Sequence, residues 1–162
     1  MEAYYYQHMT KPQQAAYHAM KAGFAALSPS FSVSRLENRE LSDIFFQLRL
    51  DCPEIFYVTG FSYRFYQGAD HVELVPEYLF DKSKVKDHQK ALAARVEKLA
   101  RPAKNMAPLE KERYIHDFIC QNVRYDKLKK PYSHEIIGPL GQGVGVCEGI
   151  AKSVKILCDA LG

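Results

Sequence analysis

Apolar residues return at the spacing of a helix face in five parts of the chain. The first such stripe consists of Ala16, Met20, Phe24 and Leu27. Steps of four, four and three residues place these side chains on one face of a helix. The same periodicity predicts helices over residues 12–27, from 38 to about 51, from before 85 to 101, over 108–123 and from 147 onward. In the second helix, Asn38 is the expected N-cap.

Aromatic residues at alternate positions indicate a β-strand in the first half of the chain. Phe61, Tyr63 and Phe65 occupy every second position, which is the period of a strand with one buried face. A shorter segment of alternating apolar and polar residues follows the turn-forming residues 67–70. This pattern predicts a β-hairpin over residues 61–75. The aromatic stripe is interpreted as core packing, with a ligand-binding surface as the alternative.

Helices combined with a hairpin predict an α+β fold. Residues 101–108 (RPAKNMAP) lack an apolar stripe and form the expected internal boundary. It divides an N-terminal α+β region, residues 1–105, from a C-terminal region, residues 106–162. Apolar residues make up 47% of the chain and charged residues 25%, which is the balance of a folded globular protein.

Basic residues are concentrated in the middle of the chain. Residues 82–130 contain 14 Lys and Arg against 6 Asp and Glu, although the net charge of the whole chain is only +3. Solvated helix faces are the preferred interpretation, with an acidic partner or nucleic acid as the alternative. No base-stacking aromatic pattern accompanies the basic residues, and no apolar run approaches the roughly 18 residues of a membrane span. We therefore expect no nucleic-acid binding and no membrane binding.

Cys147 stands apart among the four cysteines, which are Cys52, Cys120, Cys147 and Cys158. None forms a CxxC pair, so a disulfide scaffold is not predicted. A glycine-rich loop precedes Cys147, which stands at the predicted start of an amphipathic helix. The exposed N–H groups and partial positive charge at a helix N-terminus stabilise a thiolate. The thiolate is the attacking species in acyl transfer, and Gly145 and Gly149 are expected to leave room for substrate. The two interpretations of Cys147 are a nucleophile and a small buried residue.

Three short motifs carry a family resemblance, namely His116-Asp117, Tyr125-Asp126 and Gly145-Val146-Cys147-Glu148-Gly149. With them, residues 109–162 resemble the transglutaminase-like superfamily as found in bacterial proteins, although Ile150 stands where that family usually has an aromatic residue. The resemblance implies the helical half of a papain-like core over residues 106–162, with Cys147 as the nucleophile. It also implies a His and an Asp on strands after the Cys147 helix. Because the sequence ends with that helix, we expect a truncated domain, inactive by itself unless downstream sequence or strand exchange in a homo-oligomer completes it.

Two further residues near Cys147 are candidates for catalysis. Gln142 is a candidate oxyanion donor, as a Gln ahead of the nucleophile is in papain-like enzymes, with a solvated loop residue as the alternative. His134 lies in the loop before Cys147 and is a candidate base. His116 and Cys120 share a helix face at a separation of four residues, and they are interpreted as core residues rather than metal ligands. We expect no metal and no cofactor.

The leading functional hypothesis is cysteine-dependent acyl transfer on peptide or protein substrates, by hydrolysis or by transamidation of an amide. The alternative is a non-catalytic domain that binds a peptide or protein on the same fold. No signal-peptide pattern is visible at the N-terminus. The compartment is therefore left open, with the cytoplasm as the default and secretion as the alternative.

Overall fold

Residues 3–79 belong to one unit, and residues Phe80 to Gly162 belong to another. The computed structural model describes residues 3–162. Both units contain helices and strands, which confirms the predicted α+β class. The boundary predicted between residues 105 and 106 differs from this division, because the long helix before that loop packs with the C-terminal helix.

The first unit contains the helices α1 (Tyr4–Gln7), α2 (Lys11–Ala25) and α3 (Asn38–Asp51). The periodic stripes predicted α2 and α3, and both are confirmed. At the start of α2, the side chain of Gln13 accepts a hydrogen bond from the N–H of Thr10 at 3.0 Å. At the start of α3, Glu40 accepts from the N–H of Glu37 at 3.2 Å. The N-cap of α3 is therefore Glu37, and its prediction at Asn38 is wrong by one residue.

Three antiparallel strands form the sheet of the first unit, in the order β1–β3–β2. They are β1 (Phe31–Ser34), β2 (Val58–Phe65) and β3 (His71–Tyr78). Strands β2 and β3 confirm the predicted hairpin. Core packing was the wrong interpretation for Tyr63 and Phe65, whose side chains are 43% and 49% exposed. The core of the unit is built from Phe24, Phe45, Leu48, Phe56, Tyr57 and Leu74.

Three helices make up most of the second unit, namely α4 (Lys82–Ala100), α5 (Pro108–Asn122) and α6 (Cys147–Leu161). All three were predicted from apolar periodicity and are confirmed. Helix α6 packs against both α4 and α5, and the buried residues Leu92, Ile115 and Leu157 contribute one from each helix. Within residues 3–162, no helix is both long and apolar enough to cross a membrane.

The segment between α5 and α6 contains four short elements. They are β4 (Arg124–Tyr125), a 3-10 helix (Pro131–His134), a π-helix (Ile137–Gln142) and β5 (Val144–Gly145). Strands β4 and β5 pair in parallel. The π-helix is anchored by the buried side chains of Ile137 and Leu140. This folded connection fixes where the chain enters α6.

Candidate functional site

Cys147 is the first residue of α6, and its side chain is exposed. The two residues before it are held by backbone hydrogen bonds. The carbonyl of Gly145 accepts from the N–H of Asp126 at 3.0 Å, and the N–H of Val146 donates to the carbonyl of Ser133 at 3.0 Å. Because the first N–H groups of a helix have no partner within it, Cys147 lies at a fixed, electropositive helix end.

Gly149, in the first turn of α6, allows the 3-10 helix to touch the backbone of α6. A Cβ atom at this position would lie 2.2 Å from the carbonyl oxygen of Ser133. A Cβ at Gly145 would likewise lie 2.6 Å from the ring of Pro139. The space at both glycines is filled by the protein itself, so the expectation that they leave room for substrate is wrong. They permit close packing that positions Cys147 instead.

A buried ionic cluster lies directly behind the N-terminal turn of α6. Lys152 and Glu135 are each only 1% exposed. The Nζ atom of Lys152 lies 2.9 and 3.0 Å from the two carboxylate oxygens of Glu135 and 2.7 Å from Oε1 of Glu148. It also donates to the carbonyl of His134 at 3.3 Å. The cluster therefore ties α6 to the end of the 3-10 helix through one cation.

Lys152 was not predicted as a site residue, because it lies off the apolar face that periodicity indicates for α6. The segment 131–140 covers a second side of α6, and periodicity carries no information about a covering loop. The local sequence does indicate one contact of Lys152, its ion pair with Glu148. Oppositely charged residues four positions apart lie next to each other on a helix.

His134, the candidate base, lies beside Glu148, the residue that follows Cys147. Its Nδ1 atom is 3.2 Å from Oε2 of Glu148, and its side chain is 39% exposed. Among residues 3–162, no hydrogen bond joins a side chain to the Sγ atom of Cys147. The assignment of His134 as the base therefore stays a prediction, with Glu148 as the carboxylate that orients its ring.

Gln142 ends the π-helix, and its side chain is exposed. It lies at an open groove of about 530 Å³ in the second unit, together with His88, Leu92, Arg95, Phe118 and Asn122. Cys147 is not among the residues that line this groove. Gln142 as an oxyanion donor stays a prediction that the groove does not support.

His116 and Cys120 lie on the exposed side of α5, so their interpretation as core residues is wrong. The Nδ1 atom of His116 is 3.0 Å from Oδ1 of Asp117, and its Nε2 atom is 3.5 Å from Sγ of Cys120. Within residues 3–162, no group of three or more His, Cys, Asp or Glu side chains is placed to hold a metal ion.

The four thiols differ in their surroundings. Burial, followed by the charge of Glu54, raises the pKa of the Cys52 thiol. Burial, followed by the charges of Asp159 and Glu112, raises the pKa of the Cys158 thiol. Both thiols are therefore poor nucleophiles at neutral pH. Cys120 and Cys147 are the two exposed thiols.

Asp126, in the Tyr125-Asp126 motif, organises the turn between β4 and the 3-10 helix. Its carboxylate accepts hydrogen bonds from the hydroxyl of Ser133 and from the N–H groups of Leu128 and Lys130. These bonds, that of Ser133 first, hold the pKa of Asp126 below its ordinary value. The motif therefore has a structural role, because it fixes Ser133, which in turn contacts both Val146 and Gly149.

We expect Asp126→Asn to destabilise the protein at neutral pH and to weaken its acid sensitivity. A carboxylate with a depressed pKa in the folded state stabilises fully above its unfolded value of about 3.9, and this contribution is lost as pH falls through the folded-state pKa. Urea denaturation should show the largest difference from wild type above about pH 5 and a shrinking one below about pH 4. A difference independent of pH would contradict this assignment, and Asp87→Asn, at an exposed position on α4, is the control.

Comparison with known families adds to this geometry. The model of the transglutaminase-like superfamily matches residues 90–162. The match spans the greater part of α4, all of α5, the Asp126 turn and the whole of α6, with Cys147 at its start. No curated protein matches the chain. Over residues 90–162, the chain is therefore similar to the transglutaminase-like superfamily.

Proposed function

We propose that this chain carries the nucleophile of a cysteine-dependent acyl-transfer enzyme that acts on peptide or protein amides. The observation that carries the proposal is an exposed Cys147 at the first position of a 15-residue helix within the family region. The first N–H groups of α6 have no partner within the helix, and this end of the helix carries a partial positive charge. The backbone hydrogen bonds of Gly145 to Asp126 and of Val146 to Ser133 fix the point at which the chain enters α6 at Cys147, which supports a preorganised site.

The proposed reaction begins when the thiolate of Cys147 attacks the carbonyl carbon of a side-chain or peptide amide. The C–N bond breaks, the amine leaves with a proton, and a thioester to Cys147 remains. The N–H groups in the first turn of α6, which have no partner within the helix, are donors for the oxyanion that forms on the way. Water or a second amine then takes the acyl group and regenerates the thiol.

The proton steps of this reaction need a base and a group that orients it. The superfamily resemblance implies a His and an Asp that follow α6, whereas the last histidine in this sequence is His134. His134 and Glu148 form an imidazole–carboxylate pair next to Cys147. We propose that this pair contributes to the electrostatics around the thiol.

Acylation by an activated ester tests the proposal on this chain, because a good leaving group removes the need for a general acid. Incubation with p-nitrophenyl acetate should yield a stoichiometric release of p-nitrophenol and one added acetyl group, located at Cys147 by peptide mass spectrometry. Cys147→Ala should abolish this burst, while Cys120→Ser, which removes the other exposed thiol, should leave it unchanged. Equal acetylation of Cys120 and Cys147 would contradict the proposal.

A non-catalytic binding domain is the second candidate function. It is favoured by the open groove between α4, α5 and the π-helix, which Cys147 does not line. If the groove binds a peptide while Cys147 forms no thioester, the binding function is favoured. If an added alkylamine speeds deacylation of Cys147, the enzyme is favoured and transamidation is preferred over hydrolysis.

A further inference from the structure

The outer edge of strand β2 is open. In the sheet order β1–β3–β2, this strand pairs with β3 on one side only. Within residues 3–162, no backbone hydrogen bond joins residues 60–65 to a segment other than β3. The unpaired N–H and C=O groups of an edge strand can pair with a strand of another chain. The edge of β2 is therefore available for pairing with a further strand.

The features that usually protect a sheet edge are missing from this part of β2. Natural edges are protected by short strands, by lysine or proline, and by bulges. The opposite edge, β1, has only four residues, whereas β2 has eight (VTGFSYRF), none of them lysine or proline. Its bulge lies at its start, between Val58 and Gly60. Residues 60–65 therefore form a regular edge without such protection.

An aromatic stripe runs along the same edge. The ring of Phe61 packs edge-on against Phe45 of α3, with the ring centroids 5.3 Å apart. Tyr63 stands opposite the fully buried Leu74 of β3, on the same face of the sheet. Yet Tyr63 and Phe65 are 43% and 49% exposed. The stripe therefore continues the core of the first unit to the open edge, where it is left half-exposed.

Tyr63 lies at the centre of this surface, because it lines two open grooves. One groove, of about 510 Å³, is also lined by Phe61 and by Ser42 of α3. The other, of about 630 Å³, is also lined by Phe65 and by Arg35. A strand added at the edge would lie beside both grooves, with Tyr63 at its middle.

The strand that fits this edge needs apolar side chains on the α3 side and polar side chains on the other side, and β2 itself has this pattern. In an antiparallel pair of two β2 strands centred on Tyr63, Phe61 of each copy stands opposite Phe65 of the other. Arg64 of each copy stands opposite Ser62, so no like charges are opposed. Arg64 also lies 3.5 Å from Glu73 within its own hairpin. The edge is therefore complementary to itself, as an isologous interface requires.

We propose that β2 joins two copies of this chain, by antiparallel pairing with β2 of the second copy about a two-fold axis at Tyr63. The product is one continuous sheet with three strands from each copy. This interface lies in the first unit, goes beyond the proposed function and does not depend on Cys147.

Sedimentation velocity over a range of protein concentrations tests the proposal, with a reducing agent present so that the exposed thiols form no disulfide. The wild-type chain should show a monomer–dimer equilibrium. Tyr63→Lys places two ammonium groups opposite each other at the axis and should raise the dimer dissociation constant at least about tenfold. Tyr4→Lys, at a tyrosine of α1 that is 62% exposed, is the control and should leave the dimer unchanged.

A charge swap separates a lost interface from a lost fold. Tyr63→Glu alone should also weaken the dimer, whereas an equal mixture of Tyr63→Lys and Tyr63→Glu should form a mixed dimer, because opposite charges then meet at the axis. The proposal is overturned if the wild-type chain is a monomer at every concentration, which is the result expected if the edge accepts a strand of a different protein. It is also overturned if Tyr63→Lys dimerises like wild type, or if the mixture forms no mixed dimer.

Discussion

Replacing Lys152 by methionine alone is expected to lower the free energy of unfolding by about 3–5 kcal/mol. The substitution keeps an unbranched side chain of similar volume but leaves Glu135 buried, at 1% exposure, without the cation that contacts both of its oxygens. An uncompensated buried carboxylate is far less stable than a solvated one. Urea denaturation at pH 7 measures the difference.

The control for this effect is Lys155→Met, which removes a half-buried cation of the same helix from its pair with Asp159. A partly exposed pair contributes only about 0–1 kcal/mol, so this variant should stay close to wild type. Adding Glu135→Gln to Lys152→Met should recover a large part of the lost stability, because the buried charge is then absent. A loss below about 1 kcal/mol for Lys152→Met would contradict the buried ionic cluster.

Gly149→Ala is expected to lower the free energy of unfolding by about 2 kcal/mol, although alanine is normally the better residue in a helix. The added Cβ would lie 2.2 Å from the carbonyl oxygen of Ser133. This neighbour is backbone and is held by the turn at Asp126, so it cannot move aside as a flexible side chain would. The expected loss is therefore the cost of overpacking, about 1–3 kcal/mol, less a small gain in helix propensity.

Gly141→Ala is the matched control for this prediction. A Cβ at Gly141 would meet the side chain of Ile137 at 3.4 Å, which is ordinary van der Waals contact. Thermal or urea denaturation should show a change within about 0.5 kcal/mol for Gly141→Ala. If Gly149→Ala is as stable as Gly141→Ala, the close contact between α6 and Ser133 is wrong.

Periodicity predicted the long helices because each buries one continuous stripe against a partner. The stripe that includes Met20 and Phe24 lies in α2, and both side chains are fully buried. The β-hairpin could also be predicted from the sequence, because a turn-forming segment at residues 67–70 joins two segments of alternating pattern. The start of α6 at Cys147 followed from the glycine-rich loop before it.

Features that depend on partners distant in sequence were not predictable in this way. Strand β1 has only four residues and is defined by pairing with β3, about 40 residues later. The exposure of Tyr63 and Phe65 depends on which face of the sheet the helices cover, and alternation alone does not specify that face. The burial of Lys152 depends on Glu135, which approaches from a loop without periodicity.

The site was predictable in its centre and less so in its surroundings. Cys147 was singled out by its glycine loop and motif, and it lies at an exposed helix start. Gly145 and Gly149 were predicted to leave room for substrate. They allow close packing instead, because Pro139 and Ser133 occupy the space beside them. Gln142 and Cys147 are five residues apart in sequence, yet β5 lies between them and only Gln142 lines the groove.

The central claim is that Cys147 is the reactive thiol of this chain, and site-resolved alkylation by iodoacetamide at pH 7 tests it most directly. Cys120 is the internal reference, because it is also exposed but lies in the last turn of α5, at the negative end of a helix dipole, whereas Cys147 lies at a positive end. We predict that Cys147 reacts about tenfold faster than Cys120, while Cys52 and Cys158 react slowest. Reaction of Cys120 at the same rate as Cys147, or faster, would contradict the claim.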